Sequence, residues 1–120
     1  MVPRETFSKK IAPNHDFIIG VISVLGTFFH TQTALIDQFG FQIKMPLENQ
    51  KLLELIRIKI GLRSSVRIFT TKTGSYALLI TRSYKEINKK VIPFVDDRLL
   101  GQKLKQYVAW KNQFNHLFLK

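Results

Sequence analysis

At 120 residues the chain is long enough for one domain with a real core and too short for two comfortable ones. Hydrophobic residues make up 45% and charged residues 22%, which excludes general disorder, and the lack of cysteine excludes a disulfide framework or a thiolate metal site. Lys+Arg 19 against Asp+Glu 8 gives a formal net charge of +11, so the expected partner is a polyanion, nucleic acid ahead of an anionic membrane surface.

The first 14 residues read as an N-terminal extension that includes the basic stretch RETFSKK. Behind it runs the uncharged segment Phe17–Phe29. It is too short to span a membrane, which takes about 18–20 apolar residues in a helix. Bulky Thr27-Phe28-Phe29 offers no small-x-small cleavage site, which argues against a signal peptide. The remaining reading is a buried central helix, capped by Asn14 or Asp16 and ended by Gly26, with Gly20 allowing another backbone to approach closely.

Two strands follow. Thr27–Leu35 is rich in β-branched and aromatic residues. In Phe39–Met45 the alternation puts Phe39, Phe41, Ile43 and Met45 on one face and Gln42 and Lys44 on the other, with Asp37-Gln38 in the turn between the strands. Beyond Pro46 the spacing of Leu52, Leu53, Ile56 and Ile60 predicts a helix over 49–60 with Gly61 as its C′ residue. A second hairpin, 65–71 and 76–82, flanks the turn-forming Lys72-Thr73-Gly74-Ser75. Ser83–Glu86 reads as a capping box opening a helix that Pro93 closes, and 101–118 reads as a last helix with Leu104, Tyr107, Val108, Lys111, Phe114 and Leu117 at helical spacing, an apolar stripe except for Lys111.

This order predicts one α+β domain over 15–120, a four-stranded antiparallel sheet with helices on one face. The open face would then collect Gln42, Lys44, Arg67, Thr71 and Arg82 into a basic, polar saddle, with Lys72 in the adjoining turn. Lys and Arg on such a surface suit phosphates, and Gln and Arg suit base edges. His15, His30 and His116 lack the spacing of metal ligands, no nucleophile motif or phosphate-cradling glycine loop occurs, and Tyr107 and Trp110 share the apolar stripe of the last helix and so read as core.

FIIGVISVLG (Phe17–Gly26), FQIKMPLENQKLLELIRIKIG (Phe41–Gly61) and YALLITRSYKEINKKVIPFVDDRLLGQKLKQYVAW (Tyr76–Trp110), in this order and spacing, make the chain resemble the LAGLIDADG homing-endonuclease family over about residues 15–118. The resemblance implies an αββαββα fold with a further helix, a saddle sheet that grips DNA, and signature helices that pack two copies together. It also implies a pair of acidic residues near the end of the signature helix, one of which binds a metal. Matched residue by residue, those positions are Ser23 and Leu25 here, and Lys103 falls at the family's active-site lysine. Leucine offers a hard cation no ligand, and Asp16 stands at the far end of the helix, so the expectation is a catalytically inactive member with no metal and no cofactor. Ile19 and Val24 replace the two small alanine-type residues, which bears on the helix packing of Gly20, Val24 and Gly26.

The expected function is nucleic-acid binding through Gln42, Lys44, Arg67, Lys72, Arg82 and Lys103, with RNA ahead of DNA, in a maturase-like role or as an organellar ribosomal accessory protein. The alternatives are a homodimeric metal-dependent DNA endonuclease and a structural subunit of a ribonucleoprotein. Frequent Ile, Phe, Lys and Asn, residues with AT-rich codons, point to an organellar genome, mitochondrial ahead of chloroplast.

Overall fold

The structure, a computed structural model, describes residues 13–118; the rest of the N-terminal extension and the last two residues lie outside the described residues. Helix α1 (His15–Leu25) leads into strands β1 (Gly26–Gln32) and β2 (Asp37–Pro46), and a 3-10 turn (Leu47–Asn49) enters α2 (Gln50–Ile60). Strands β3 (Arg67–Thr71) and β4 (Gly74–Thr81) follow. The chain then runs through α3 (Tyr84–Glu86), a π turn (Ile87–Val91) and α4 (Ile92–Val95) into the long α5 (Gly101–Phe118).

The four strands form one antiparallel sheet in the order β1-β2-β4-β3. Two sequential hairpins therefore meet at β2 and β4, in a register that sets Phe41 opposite Thr81 and Met45 opposite Ala77. Because side chains alternate faces along a strand, this register sorts the whole sheet. Phe28, Phe39, Phe41, Ile43, Met45, Ala77 and Leu79 point to one side and are buried beneath the helices. There they meet Ile18 and Ile22 of α1, Leu53 and Ile56 of α2, Ile87, Val91 and Val95 of the 84–95 run, and Tyr107, Trp110 and Phe114 of α5. The predicted core faces of β2 and α2, and the core placement of Tyr107 and Trp110, are those observed.

Local chemistry explains where the elements begin and end. Asn14 caps α1, its side-chain oxygen accepting from Phe17 N at 2.8 Å. Gly61 closes α2 in the left-handed region at φ 94°, a conformation that needs glycine. Of the capping box at Ser83, one half forms: Ser83 Oγ accepts from Glu86 N at 3.2 Å, while the Glu86 carboxylate turns instead to Thr81 Oγ1 and Arg63 N.

Three local readings change. The first hairpin turns at 33–36, where Thr33 Oγ1 accepts from Ile36 N at 3.1 Å, so Asp37 and Gln38 belong to β2. Asp37 is held in the strand by His30 of β1, whose Nε2 lies 2.9 Å from its carboxylate. Pro93 does not end its helix: it sits in the first turn of α4, after a π turn whose bonds reach five residues back. And among the described residues no neighbour uses the space at Gly20, where an added Cβ would meet nothing within 4 Å.

The last helix is held by a small polar cluster. Asp96 Oδ1 accepts from Lys111 Nζ at 2.7 Å and from Tyr107 Oη at 2.9 Å. The Lys111 hydrogen bond, helped by the Tyr107 hydroxyl and against partial burial, holds the Asp96 carboxyl below its ordinary value. Burial, and then Asp96 itself, pushes the Tyr107 phenol upwards. This cluster accounts for the one charged residue, Lys111, on an otherwise apolar helical stripe.

Candidate nucleic-acid interface

The face of the sheet turned away from the helices carries Thr27 and Phe29 from β1, Gln42 and Lys44 from β2, Leu78 and Ile80 from β4, and Arg67, Phe69 and Thr71 from β3. Their grouping follows from the register: Thr27 pairs with Gln42, Gln42 with Ile80, Lys44 with Leu78, and Leu78 with Arg67. Lys44 and Arg67 thus flank Leu78 in one row across three strands. Arg82, directly after β4, continues that strand's open-face alternation. Lys72 stands in the two-residue turn between β3 and β4, whose second strand opens on Gly74 at φ 142°.

Lys44, Arg67, Lys72 and Arg82 are all exposed, and none of them takes part in an ion pair among the described residues. Two of them instead lie over aromatic rings. Lys44 Nζ is 4.1 Å from the centre of the Tyr76 ring, and the Arg82 guanidinium carbon is 5.5 Å from that of Phe29. Such a contact is worth about 0.5–1 kcal/mol at an exposed site and holds a long cationic side chain upright without neutralising it. Tyr76 in turn stacks on Phe69, ring centres 5.5 Å apart at 18°. Phe29, Phe69 and Tyr76 are the aromatic members of this surface that sequence reading missed. As β-formers in strands they look like core, and only strand parity places them outside.

Beneath Phe29 lies Gly40, its cross-strand partner. A Cβ on Gly40 would stand 2.1 Å from Phe29 Cζ, so the ring occupies the space that a side chain would fill. At the end of β4 an indentation lined by Ser64, Ser65, Arg67, Ile80 and Arg82 joins the two arginines through a pair of serines.

The C-terminal end of α1 is a different environment. Ser23 Oγ accepts from Leu100 N at 3.2 Å, and Leu25 is 41% exposed. Lys103, on α5, donates its ammonium to the Gly26 carbonyl and, at 3.3 Å, to Gln106 Oε1. Lys103 therefore does not join the saddle residues; it braces the junction of α1 and β1. Gly26 is tight for a related reason, since a Cβ there would lie 2.8 Å from the Ile22 carbonyl oxygen. A serine hydroxyl already in use, an aliphatic side chain and a carbonyl already bound by a cation do not make a cage for a hard divalent ion. Among the described residues no cluster of three His, Asp or Glu side chains stands close enough to hold one.

Along α1, Ile18, Ile19 and Ile22 are buried against the sheet and α5, but Phe17 is 48% and Val24 77% exposed. With Gly20, Val21 and Leu25 they form a shallow apolar strip on the outer side of the helix.

The sequence model of the LAGLIDADG endonuclease family matches residues 20–114. Among solved structures, the fold superposes on that of the LAGLIDADG homing endonuclease I-GzeII in complex with its DNA target with a TM-score of 0.78, at 20% identity over 88% of this chain and 36% of that one. For the I-LtrWI LAGLIDADG homing endonuclease bound to target DNA the TM-score is 0.75, at 27% identity over 89% of this chain and 38% of that one. For the meganuclease I-SmaMI bound to uncleaveable DNA it is 0.74, at 21% identity over 88% and 37%. The chain spans little more than a third of the length of these structures. No curated protein sequence matches it. A helix-backed saddle sheet of this order, together with the family match over most of its length, defines the class: this chain belongs to the LAGLIDADG endonuclease family.

Proposed function

We propose that this chain binds structured RNA on the open face of its sheet and does not cut it, as a maturase-like or ribosomal accessory protein of an organelle, mitochondrial by its AT-leaning composition. The observation that carries the reading is the collection of Lys44, Arg67 and Arg82 around Gln42 on one open face, with no ion pair to any of them among the described residues and two of them standing on rings. Cations so placed suit phosphates, and Gln42 suits a base edge. Phe69, 38% exposed beside Tyr76, adds a ring on which an unpaired base can stack; single-stranded and looped RNA is read in this way, whereas a continuous duplex keeps its bases within its own stack. Ser23 and Leu25 supply no metal-binding carboxylate, and a protein held for its grip on structured RNA needs none.

The test is a titration of the protein against a looped RNA and a duplex DNA at two salt concentrations, with and without Mg²⁺. Tighter binding of the RNA with no cut product is expected. Replacing Arg67 and Arg82 with glutamine should reduce the slope of log affinity against log salt by about 1.4–1.8, since each phosphate contact contributes about 0.7–0.9. Duplex cleavage in Mg²⁺ would overturn the reading, and an unchanged slope would move the nucleic acid off this face.

A second reading, a homodimer on duplex DNA, is favoured by the apolar strip of Phe17, Gly20, Val21, Val24 and Leu25, which faces away from this chain's own core. The relatives named above were solved with DNA. Sedimentation separates the two readings: a dimer that Val24→Asp converts to monomer supports the second, and a parent protein monomeric at about 100 μM, far above the micromolar range where typical specific complexes form, removes it.

A further inference from the structure

On the helix side of the molecule, where α2 ends and the 84–95 run begins, an open groove of about 480 Å³ is lined by Gly61, Arg63, Ser83, Lys85, Glu86, Lys89 and Lys90. Four of these residues are cations and one is an acid. The acid is already committed: Glu86 accepts from Arg63 N at 2.6 Å through one oxygen and from Thr81 Oγ1 at 2.7 Å through the other. Arg63, Lys85, Lys89 and Lys90 are exposed, and none of them takes part in an ion pair among the described residues. The Lys90 stem lies across Gly61, where an added Cβ would come within 3.3 Å of Lys90 Cδ. Like charges gathered this closely repel one another, and nothing in the core requires the grouping.

The groove also adjoins the saddle along the chain. Its Arg63 is followed by Ser64 and Ser65, and its Ser83 is preceded by Arg82. Ser64, Ser65 and Arg82, with Arg67, line the indentation at the end of β4 on the open face. The chain thus passes directly from the lining of one depression to that of the other at two places, 63–64 and 82–83, beside the end of β4. We infer that the groove of Arg63, Lys85, Lys89 and Lys90 is a second phosphate-binding site, which takes a strand of the same RNA after it has turned past the end of β4. The inference rests on nucleic-acid binding at the saddle and specifies the shape of the ligand. A straight duplex lying along the sheet does not reach behind it, whereas an RNA with a junction or sharp bend reaches both.

The test uses the full chain with Lys85, Lys89 and Lys90 replaced by glutamine, a three-way-junction RNA, and a straight RNA duplex of equal length. The three lysines are exposed, so folding should be unaffected, and a matching lysine-to-arginine triple variant should restore binding. Loss of three phosphate contacts should lower affinity for the junction RNA roughly a hundredfold at 0.1 M salt and reduce its salt slope by about 2 to 3, with the straight duplex bound within about twofold of the parent. Unchanged affinity and slope on the junction would overturn the inference, as would an equal loss on both probes, which would mean general attraction and no turn. Loss of binding to phosphatidylserine vesicles with unchanged binding to the junction RNA would also overturn it in favour of a lipid surface. The Arg67→Gln/Arg82→Gln variant, run beside it, reports on the saddle alone, so a failure of either site is seen separately.

Discussion

Gly40 and Phe29 offer a test in which stability and binding are joined by one contact. In Gly40→Ala the new methyl would lie 2.1 Å from Phe29 Cζ and 2.6 Å from Cε1 and Cε2, so the ring has to leave. The backbone itself accepts alanine, because φ at Gly40 is not positive, and Ala in place of Gly within a strand contributes about 0.5–1 kcal/mol. Against this, a half-buried phenyl ring driven from its seat loses on the order of 50–80 Å² of apolar contact, about 1–2 kcal/mol at roughly 25 cal/mol/Å². Its contact with Arg82, about 0.5–1 kcal/mol, goes as well. The net cost is then about 1–2 kcal/mol, and for a domain of this size it should appear in a thermal melt as a fall of roughly 5–10 °C. Nucleic-acid affinity should fall with it, since Arg82 loses its support. The control is a double-mutant cycle: in a Phe29→Ala background there is no ring to displace, and Gly40→Ala should become neutral or mildly stabilising. If Gly40→Ala costs the same in both backgrounds, the ring over the glycine is not the cause and the reasoning fails.

Three further outcomes are expected. The Asp96 carboxyl titrates lower in the folded protein than in the unfolded chain, so its cluster stabilises the fold above about pH 4 and loses that contribution as pH falls through the folded value; Asp96→Asn should flatten the acid limb of a stability-against-pH profile, and an unaltered limb would remove the cluster from the account of acid unfolding. Placing carboxylates at the end of α1, as Ser23→Asp/Leu25→Asp, should make the melting temperature respond to millimolar Mg²⁺ while the parent stays unresponsive; a parent stabilised by Mg²⁺ would show that metal ligands were overlooked. Phe41→Ala, at a core position with no exposed area between β1 and β4, should cost about 3–5 kcal/mol in chemical denaturation, and less than 1 kcal/mol would mean that the sheet packs differently.

Strand faces were legible in the sequence because their period is two and polar and apolar residues keep to it from Phe39 to Met45. That alternation alone separates Gln42 and Lys44 from the core, and it is why the expected saddle and the observed one share Gln42, Lys44, Arg67, Thr71 and Arg82. What failed were features that depend on something distant. Asp37 looks like a turn residue until His30 is found across the hairpin, and Lys111 looks misplaced until Asp96 reaches it from 15 positions away. Pro93 reads as a stop because one sequence does not reveal the π turn ahead of it. Helix α1 reads as wholly buried because its residues are apolar on every side. Periodicity cannot separate a face packed on its own core, as Ile18 and Ile22 are, from one left bare, as at Val24. The groove at Lys85, Lys89 and Lys90 escaped notice because Arg63 and Gly61 join it only through the fold.

Lys103 makes the end of α1 self-sufficient. The C-terminal end of a helix concentrates partial negative charge, and a cation there contributes about 0.3–1 kcal/mol. Here that cation is an ammonium bound to the Gly26 carbonyl and tethered through α5 to the same chain. A counter-charge carried on the polypeptide has a fixed local concentration, and neither chelation nor competition from other ions can deplete it. The junction from which the first strand departs is therefore braced by the fold itself, with a cation that arrives as soon as α5 docks.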